Sequence, residues 1–109
     1  MKLENMKAQM RKGVLELCVL SLLEHTEGYP SDIIKQLKTS KLIVVEGTIY
    51  PLLNRLKNAS LLSYHWKESK TGPPRKYYFI TNEGKEILTE MRGTWNQLNH
   101  AVIETTKQN

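Results

Sequence analysis

The residues with the clearest chemical potential lie on one side of a predicted helix over residues 46 to 58 of this 109-residue chain. Four apolar side chains share its inner face at steps of three and four: Ile49, Leu52, Leu53 and Leu56. The opposite side and its flanks carry hydrogen-bonding groups, from Thr48, Tyr50, Asn54, Arg55, Asn58 and, nearer one edge, Lys57. Amide and guanidinium groups match the donor and acceptor pattern of base edges in DNA. The pattern predicts a helix that enters a nucleic-acid groove, with Thr48 and Tyr50 reaching phosphates or a thymine methyl.

A second basic feature follows in residues 63 to 80. Residues 63 to 68 and 75 to 80 are rich in strand formers, and a Gly-Pro-Pro-containing segment, residues 69 to 74, separates them. This pattern predicts a β-hairpin with a positive tip, because Glu68 is the one acid among Lys67, Lys70, Arg75 and Lys76. We expect Lys70, Arg75 and Lys76 to neutralise phosphates. Trp66 is expected to pack within the hairpin.

Charge is unevenly distributed along the chain. Residues 1 to 81 hold 13 Lys/Arg and 7 Asp/Glu, net +6, whereas residues 82 to 109 hold 3 and 4, net −1. This asymmetry favours an acidic polymer as the partner of the first part. The length allows one compact core, so we expect a DNA-binding unit over residues 1 to 81 and a dimerisation helix over residues 82 to 109.

Two long helices are predicted to meet a second copy of the chain. Residues 7 to 25 are predicted to form a helix that is apolar around most of its circumference. A domain this small can cover only one face of such a helix, so the remaining apolar surface is expected to pack against a second copy. A last helix, capped by Thr81, carries an a/d seam at steps of three and four. The predicted homodimer interface therefore comprises Val14, Leu17, Leu88, Met91, Trp95, Leu98 and Val102.

The remaining elements complete a recognisable order. Ser31 is the expected cap of a short helix that ends near Ser40, and residues 42 to 45 are β-branched and too short for a helix, which indicates a brief strand. Pro51 interrupts the hydrogen bonding of its helix, so we expect that helix to begin late or to bend. Helix, helix, short strand, helix and hairpin is the order of a winged helix-turn-helix. The predicted fold class is mainly α with a small β-hairpin.

Other functions find little support in the sequence. Cys18 lies in an apolar run and is expected to be buried and inert, and the three histidines lack metal-ligand spacing, so we predict no metal and no cofactor. An enzyme would need a nucleophile with a base, paired carboxylates or a phosphate-binding Gly-rich loop. The sequence offers none of these at a credible spacing, so we do not expect an enzyme. No membrane span is evident, and we expect a cytoplasmic protein. A winged-helix adaptor that binds proteins without specific DNA binding remains an alternative.

Three segments resemble the PadR family of transcriptional regulators: residues 13 to 17 (GVLEL), 47 to 56 (GTIYPLLNRL) and 72 to 78 (GPPRKYY). The resemblance covers nearly the whole chain. The single short C-terminal helix is similar to the compact subfamily that includes a lactococcal multidrug-resistance regulator. In the family, a polar residue commonly precedes the Gly-Thr motif and caps the following helix with its side chain. This chain has Val45-Glu46 at that place, so the usual cap is not expected.

The resemblance implies a repressor of a nearby transporter or detoxification gene. In the compact subfamily a tryptophan of the final helix lines a cavity at the dimer centre and stacks on flat aromatic compounds. Trp95 matches that position, whereas its spacing alone indicates a seam residue that fills the interface. Beside Trp95, the methionines Met10 and Met91 could form an adaptable ligand-binding wall, although methionines at helical spacing usually serve only packing. With Asn99 these residues form the predicted ligand site, and the expected effector is an aromatic or apolar compound.

Overall fold

A computed structural model describes residues 2 to 108, and these form four helices and one antiparallel hairpin. The elements are α1 (Lys2–Leu22), α2 (Pro30–Thr39), α3 (Glu46–Asn58), β1 (Leu62–Ser69), β2 (Gly72–Ile80) and α4 (Asn82–Thr106). This is the mainly helical winged helix-turn-helix that the sequence predicts. The molecule is elongated, 59 × 34 × 23 Å, because α1 and α4 extend beyond the core.

The hydrophobic core lies where α1, α2, α3 and the hairpin meet the first turns of α4. The predicted inner face of α3 is fully confirmed, since Ile49, Leu52, Leu53 and Leu56 are all at most 4% exposed. Leu88 of α4 is completely buried in this same core. Its assignment to the dimer interface was therefore wrong, because the chain's own core already covers its side chain.

Helix α1 is longer than the sequence predicts, and the core covers only its second half. It begins five residues before the predicted start and ends at Leu22, three residues before the predicted end. Leu15, Val19 and Leu20 are buried, whereas every residue from 2 to 13 is exposed. The first three turns of α1 thus project from the core without intramolecular cover.

Both middle helices end in the same way. The N–H of Leu42 bonds to the Leu37 carbonyl, and the N–H of Leu61 to that of Leu56, each 3.0 Å or less from N to O. The preceding residues, Lys41 and Ser60, have positive φ of 69° and 65°. These are left-handed caps formed without glycine, and they turn the chain sharply towards α3 and β1.

The start of α2 differs from the prediction. Pro30 is the first helical residue and Tyr29 precedes it, so Ser31 lies inside the helix and caps nothing. Proline fits this position because N–H groups in the first turn of a helix have no intrahelical acceptor, so the lack of an N–H costs no hydrogen bond. The N–H of Tyr29 instead donates to Asp32 Oδ2 at 3.4 Å. The predicted end near Ser40 is confirmed, since Thr39 is the last helical residue.

The brief strand predicted for residues 42 to 45 is absent. This segment is extended, with Leu42 and Val44 turned towards the core, but its backbone pairs with no strand. Gly28, after α1, bonds to β2 instead: its N–H reaches the Tyr78 carbonyl at 3.1 Å, and the Tyr78 N–H returns to Gly28 at 2.8 Å. The β-branched run therefore indicated extended backbone correctly and pairing wrongly.

Helix α3 begins at Glu46, and so it does not begin late as Pro51 suggested. Val45 occupies the cap position and offers no side-chain hydrogen bond, as the resemblance implied. The N–H groups of Thr48 and Ile49 bond to the Val45 carbonyl at 3.0 and 3.1 Å, so backbone contacts alone close the first turn.

The hairpin, here called the wing (residues 62 to 80), is longer than predicted. Its strands pair from Leu62 opposite Ile80 to Ser69 opposite Gly72, with a bulge between Lys67 and Ser69. The expected loop of Gly72 and the two prolines is therefore the start of β2. Proline tolerates this position because an edge strand needs no N–H donor on its outer side.

Helix α4 begins as predicted, with the Thr81 hydroxyl accepting from the Gly84 N–H at 2.9 Å. The same hydroxyl donates to the Ser60 carbonyl at 2.7 Å, which ties the helix start to the turn before the wing. From residue 92 to the end of α4 every side chain is exposed. The second half of α4 thus lacks intramolecular cover, as do the first turns of α1.

Candidate nucleic-acid interface and apolar groove

The outer side of α3 has two flanks that face different neighbours. Asn54 lies exposed at its centre, and Thr48 is likewise exposed. Tyr50, half exposed, and Lys57 lie on the flank towards the wing, where the Lys57 ammonium is 6.0 Å from the Tyr64 ring centroid. All eight residues predicted to contact DNA thus lie on α3 or the wing.

Arg55 lies on the opposite flank and contacts α1. Its Nη2 is 3.3 Å from Glu16 Oε1, and both side chains are about half exposed (58% and 41%). An ion pair this exposed contributes about 1 kcal/mol or less. The guanidinium is therefore held near α1 but is readily released. This pair could not be predicted from the sequence, because its members are 39 residues apart.

The cations of the wing rest on aromatic rings. The Lys76 ammonium is 4.5 Å from the Tyr64 ring centroid, and the Arg75 guanidinium carbon is 4.8 Å from that of Tyr29. Lys70 lies exposed at the turn. None of these three cations forms an ion pair with a carboxylate within residues 2 to 108, so the wing keeps its positive charge.

Glu27 holds the wing from the loop that follows α1. Its carboxylate contacts the Lys67 ammonium and, at 2.8 Å, His65 Nε2 of β1. The hydrogen bond from Lys67 is the main reason that the pKa of Glu27 is lowered from 4.5, and His65 adds to it, although partial desolvation opposes both. This contact was not predicted from the sequence, where Lys67 counts among the free cations of the hairpin.

This carboxylate predicts a specific loss of stability in acid. Because its pKa is lowered in the folded protein, Glu27 stabilises the fold above its ordinary pKa of 4.5, and the contribution is lost as pH falls through the folded value. We expect the urea midpoint to drop between about pH 6 and about pH 3.5. Glu27→Gln should reduce that drop, and Glu68→Gln, which removes an exposed carboxylate on β1 of the wing, should leave it unchanged. An unaltered drop in Glu27→Gln would contradict the assignment.

An apolar groove of about 640 Å³ runs between α1 and α4. Most residues predicted for the dimer interface and for ligand binding line it together: Met10, Val14, Leu17, Met91, Trp95, Leu98, Asn99 and Val102. Met91 is partly buried against the core, whereas Trp95, Leu98 and Val102 are 42%, 55% and 56% exposed. The chain thus presents a wide apolar surface to solvent at the place where both long helices leave the core.

Arg92 joins α4 to the end of α1, beside this groove. Its Nη2 donates to Ser21 Oγ and to Glu24 Oε1, each at 2.9 Å. The Arg92 hydrogen bond is the largest cause of the lowered pKa of the Glu24 carboxyl. No local pattern predicts this contact either, since 68 residues separate the two charges.

Other sites receive no support from the described residues. Cys18 is half-buried, less than expected, and burial raises the pKa of its thiol, which disfavours the reactive thiolate. Within residues 2 to 108 no three potential ligands among His, Cys, Asp and Glu cluster as a metal site. In the same range no helix has the length and apolar character to cross a membrane.

The fold and its basic wing define a winged helix-turn-helix transcriptional regulator, and comparison with known proteins gives the family. Residues 19 to 90 match the model of the transcriptional regulator PadR-like family. A PadR-like transcription factor from Bacteroides fragilis is 55% identical, over 94% of this chain and 99% of that one, with a TM-score of 0.78. The chain belongs to the PadR-like family.

Two further solved structures agree with this assignment. A PadR family transcriptional regulator from Eggerthella lenta has a TM-score of 0.89 at 32% identity, covering 98% of this chain and 94% of that one. A PadR-like transcriptional regulator from Bacillus cereus has a TM-score of 0.80 at 38% identity, covering 93% and 99%. Members of this family are DNA-binding transcriptional regulators and not enzymes.

Proposed function

We propose that the protein is a homodimeric repressor whose two copies meet along the groove between α1 and α4. The observation that carries this proposal is the exposure of Trp95, Leu98 and Val102 beside the still more exposed Met10, at 78%. Contiguous apolar surface of this kind marks an interaction site. A second copy supplies a matching stripe, because a twofold interface pairs the same patch on both chains.

Gly13 supports close packing of a partner at this groove. It lies inside α1 and lines the groove, and a Cβ placed on it would meet nothing within 4 Å in the chain. Glycine destabilises a helix interior by about 0.5 to 1 kcal/mol relative to alanine, and no contact within the chain requires it here. A partner helix that approaches the backbone closely would account for it. In this arrangement residues 1 to 81 bind DNA and residues 82 to 109 mainly dimerise.

On DNA, each α3 enters a major groove and each wing contacts the adjacent backbone. Asn54 and Arg55 contact base edges, and Thr48 and Tyr50 contact the backbone or a thymine methyl from the flanks. Phosphates are bound by the cations Lys57, Lys70, Arg75 and Lys76. The two recognition helices occupy successive grooves of a pseudo-palindrome, with half-sites about 34 to 36 Å apart.

The same groove between α1 and α4, bordered by the partner in the proposed dimer, also receives the effector. Its volume of about 640 Å³ lies within the usual range of small-molecule pockets, about 300 to 1,000 Å³. Trp95 offers an aromatic face, Met10 and Met91 offer adaptable walls, and Asn99 offers an amide for orientation. An aromatic or apolar compound there changes the angle between protomers, and hence the spacing of the recognition helices. Release from DNA would then induce a nearby transporter or detoxification gene, as in a multidrug-responsive regulator.

Binding to the DNA upstream of the protein's own gene tests the function. Fluorescence anisotropy over a salt series should show tighter binding to that duplex than to a random one, with log affinity falling by about 0.9 per phosphate contact against log salt. Equal, salt-insensitive binding to both would favour a winged-helix adaptor. Anilinonaphthalene sulfonate, an aromatic probe, should compete with operator binding, and affinity unchanged at saturating probe would remove the effector from the proposal.

The Arg55–Glu16 pair gives a second test of the recognition surface. Arg55→Ala should weaken operator binding by about 5- to 150-fold, since a good base contact contributes about 1 to 3 kcal/mol. Glu16→Gln releases the guanidinium and should strengthen binding a few-fold in the same anisotropy assay. Glu86→Gln removes an equal charge from exposed α4 and serves as the control. An equal gain from Glu16→Gln in the Arg55→Ala background would show that Glu16 does not act through Arg55.

A further inference from the structure

The wing carries an exposed tryptophan that neither the sequence nor the groove explains. Trp66 was expected to pack within the hairpin, but it is 61% exposed. Its intramolecular aromatic contact is one edge-to-face approach to Tyr64, at 6.0 Å between ring centroids. Exposure of most of a large indole costs hydrophobic free energy, which a bound partner recovers.

The strand register shows which side of the wing Trp66 occupies. Leu62, Tyr64 and Trp66 alternate along β1, and they lie opposite Ile80, Tyr78 and Lys76 of β2. Cross-strand partners share a face, so this is the face whose inner end is buried in the core at Leu62 and Ile80. The apolar ladder therefore continues outward from the core and ends, uncovered, at Trp66.

A cleft of about 500 Å³ lies between this face and the start of the two middle helices. Its walls include Tyr50 of α3, Tyr29 and Ser31 beside α2, and Trp66, Arg75 and Lys76 of the wing. The cleft thus adjoins the flank of α3 that faces the wing. The cleft is therefore open to a DNA strand that passes from a groove filled by α3 to the wing.

Two unneutralised cations, Lys76 and Arg75, line the cleft together with the indole. The Lys76 ammonium is 5.5 Å from the Trp66 ring centroid, and Arg75 packs over Tyr29. Neither forms an ion pair with a carboxylate in the described part of the chain, whereas the nearby Lys67 is paired with Glu27. Aromatic and cationic groups side by side match a chain of alternating apolar sugars and anionic phosphates.

We propose that this cleft binds one sugar-phosphate strand of duplex DNA, with Trp66 packed on a deoxyribose and Lys76 and Arg75 on the adjoining phosphates. The inference rests on the proposed DNA-binding function and adds a contact that carries no base information. Trp66 therefore strengthens binding to any duplex, while Asn54 and Arg55 discriminate among sequences. A small aromatic anion is the other chemistry that such a cleft could accept.

Substitution of Trp66 tests the inference in the anisotropy assay. Trp66→Ala should weaken binding about tenfold on the operator and on random duplex alike, with the salt slope unchanged, because the ring carries no charge. Trp66→Phe should restore most of the affinity. Lys76→Ala should instead lower the slope by about 0.9. Phe79→Ala removes a partly exposed aromatic from the opposite face of the wing and should bind as the wild type does.

A spectroscopic measurement shows whether the ring itself is covered. In Trp95→Phe, Trp66 is the sole tryptophan, and anisotropy followed in the same titration reports how much protein is bound. DNA should protect the Trp66 emission from acrylamide quenching. Anilinonaphthalene sulfonate without DNA tests for the small aromatic anion, and protection by the probe without protection by DNA would overturn the inference.

The same measurements distinguish an absence of DNA binding from an absence of the Trp66 contact. Wild-type protein that binds no duplex would refute DNA binding altogether. Wild-type protein that binds DNA, while Trp66→Ala binds equally well and Trp66 stays open to acrylamide, would refute the cleft alone.

Discussion

Leu98→Glu is expected to convert the dimer into monomers and to weaken operator binding by about 10²- to 10⁴-fold. Leu98 lines the groove and is 55% exposed in the single chain, and in the proposed dimer the partner covers it. A carboxylate buried there without a partner cation costs several kcal/mol, which a dimer interface of ordinary size does not tolerate. The loss on DNA follows because two linked half-site contacts become separate ones.

Gln97→Glu is the matched control for this prediction. It adds the same charge one residue earlier on α4, at a position outside the groove. Sedimentation velocity should find Gln97→Glu dimeric and Leu98→Glu monomeric at the same concentration, and circular dichroism should show equal helix content. A dimeric Leu98→Glu with normal DNA affinity would place the interface elsewhere.

Gly84→Ala is expected to destabilise the fold by about 3 kcal/mol. A Cβ on Gly84 would overlap the carbonyl oxygen of Leu61 and lie 2.7 Å from Ile80 Cγ1. The obstacle is backbone, so α4 has to move away from the foot of the wing, and overpacking of this kind costs about 1 to 3 kcal/mol and occasionally more. The shift also strains the Thr81 hydroxyl, which bonds both Ser60 and Leu61.

Gly93→Ala gives the comparison within the same helix. A Cβ on Gly93 would meet nothing within 4 Å, so alanine should stabilise the chain by about 0.5 to 1 kcal/mol. Urea unfolding at one fixed protein concentration measures both effects, since the stability of a dimer depends on concentration. A stable Gly84→Ala protein would show that α4 does not sit tightly on Leu61.

Local patterns in the sequence predicted the elements that place the candidate site. The steps of three and four in α3 gave its buried and polar faces, and Thr81 gave the start of α4. Both predictions depend on residues only a few positions apart, and over that distance helix geometry determines which side chains share a face. The strand predicted at residues 42 to 45 is absent. Strand pairing depends on a partner that is distant in sequence, and the outer edge of β2 pairs with Gly28 instead.

Side-chain contacts between elements could not be predicted in this way. Arg55 is held by Glu16, and Arg92 by Glu24, across large separations in sequence that no periodicity reveals. Leu88 follows the same seam as Leu98, but its place near the start of α4 puts it in the core of its own chain. The periodicity fixes the face of a helix, whereas the point at which the helix leaves the core decides what covers that face.

Hydroxyl-radical footprinting on the upstream operator is the most direct test of a dimer that reads DNA through two copies of α3. We expect two protected patches on one side of the duplex, with centres about 10 to 10.5 base pairs apart, and backbone protection beside each where the wing lies. Leu98→Glu at the same concentration should remove both patches together. A single protected patch, equally strong in wild type and in Leu98→Glu, would show that the protein does not bind DNA through two copies of α3.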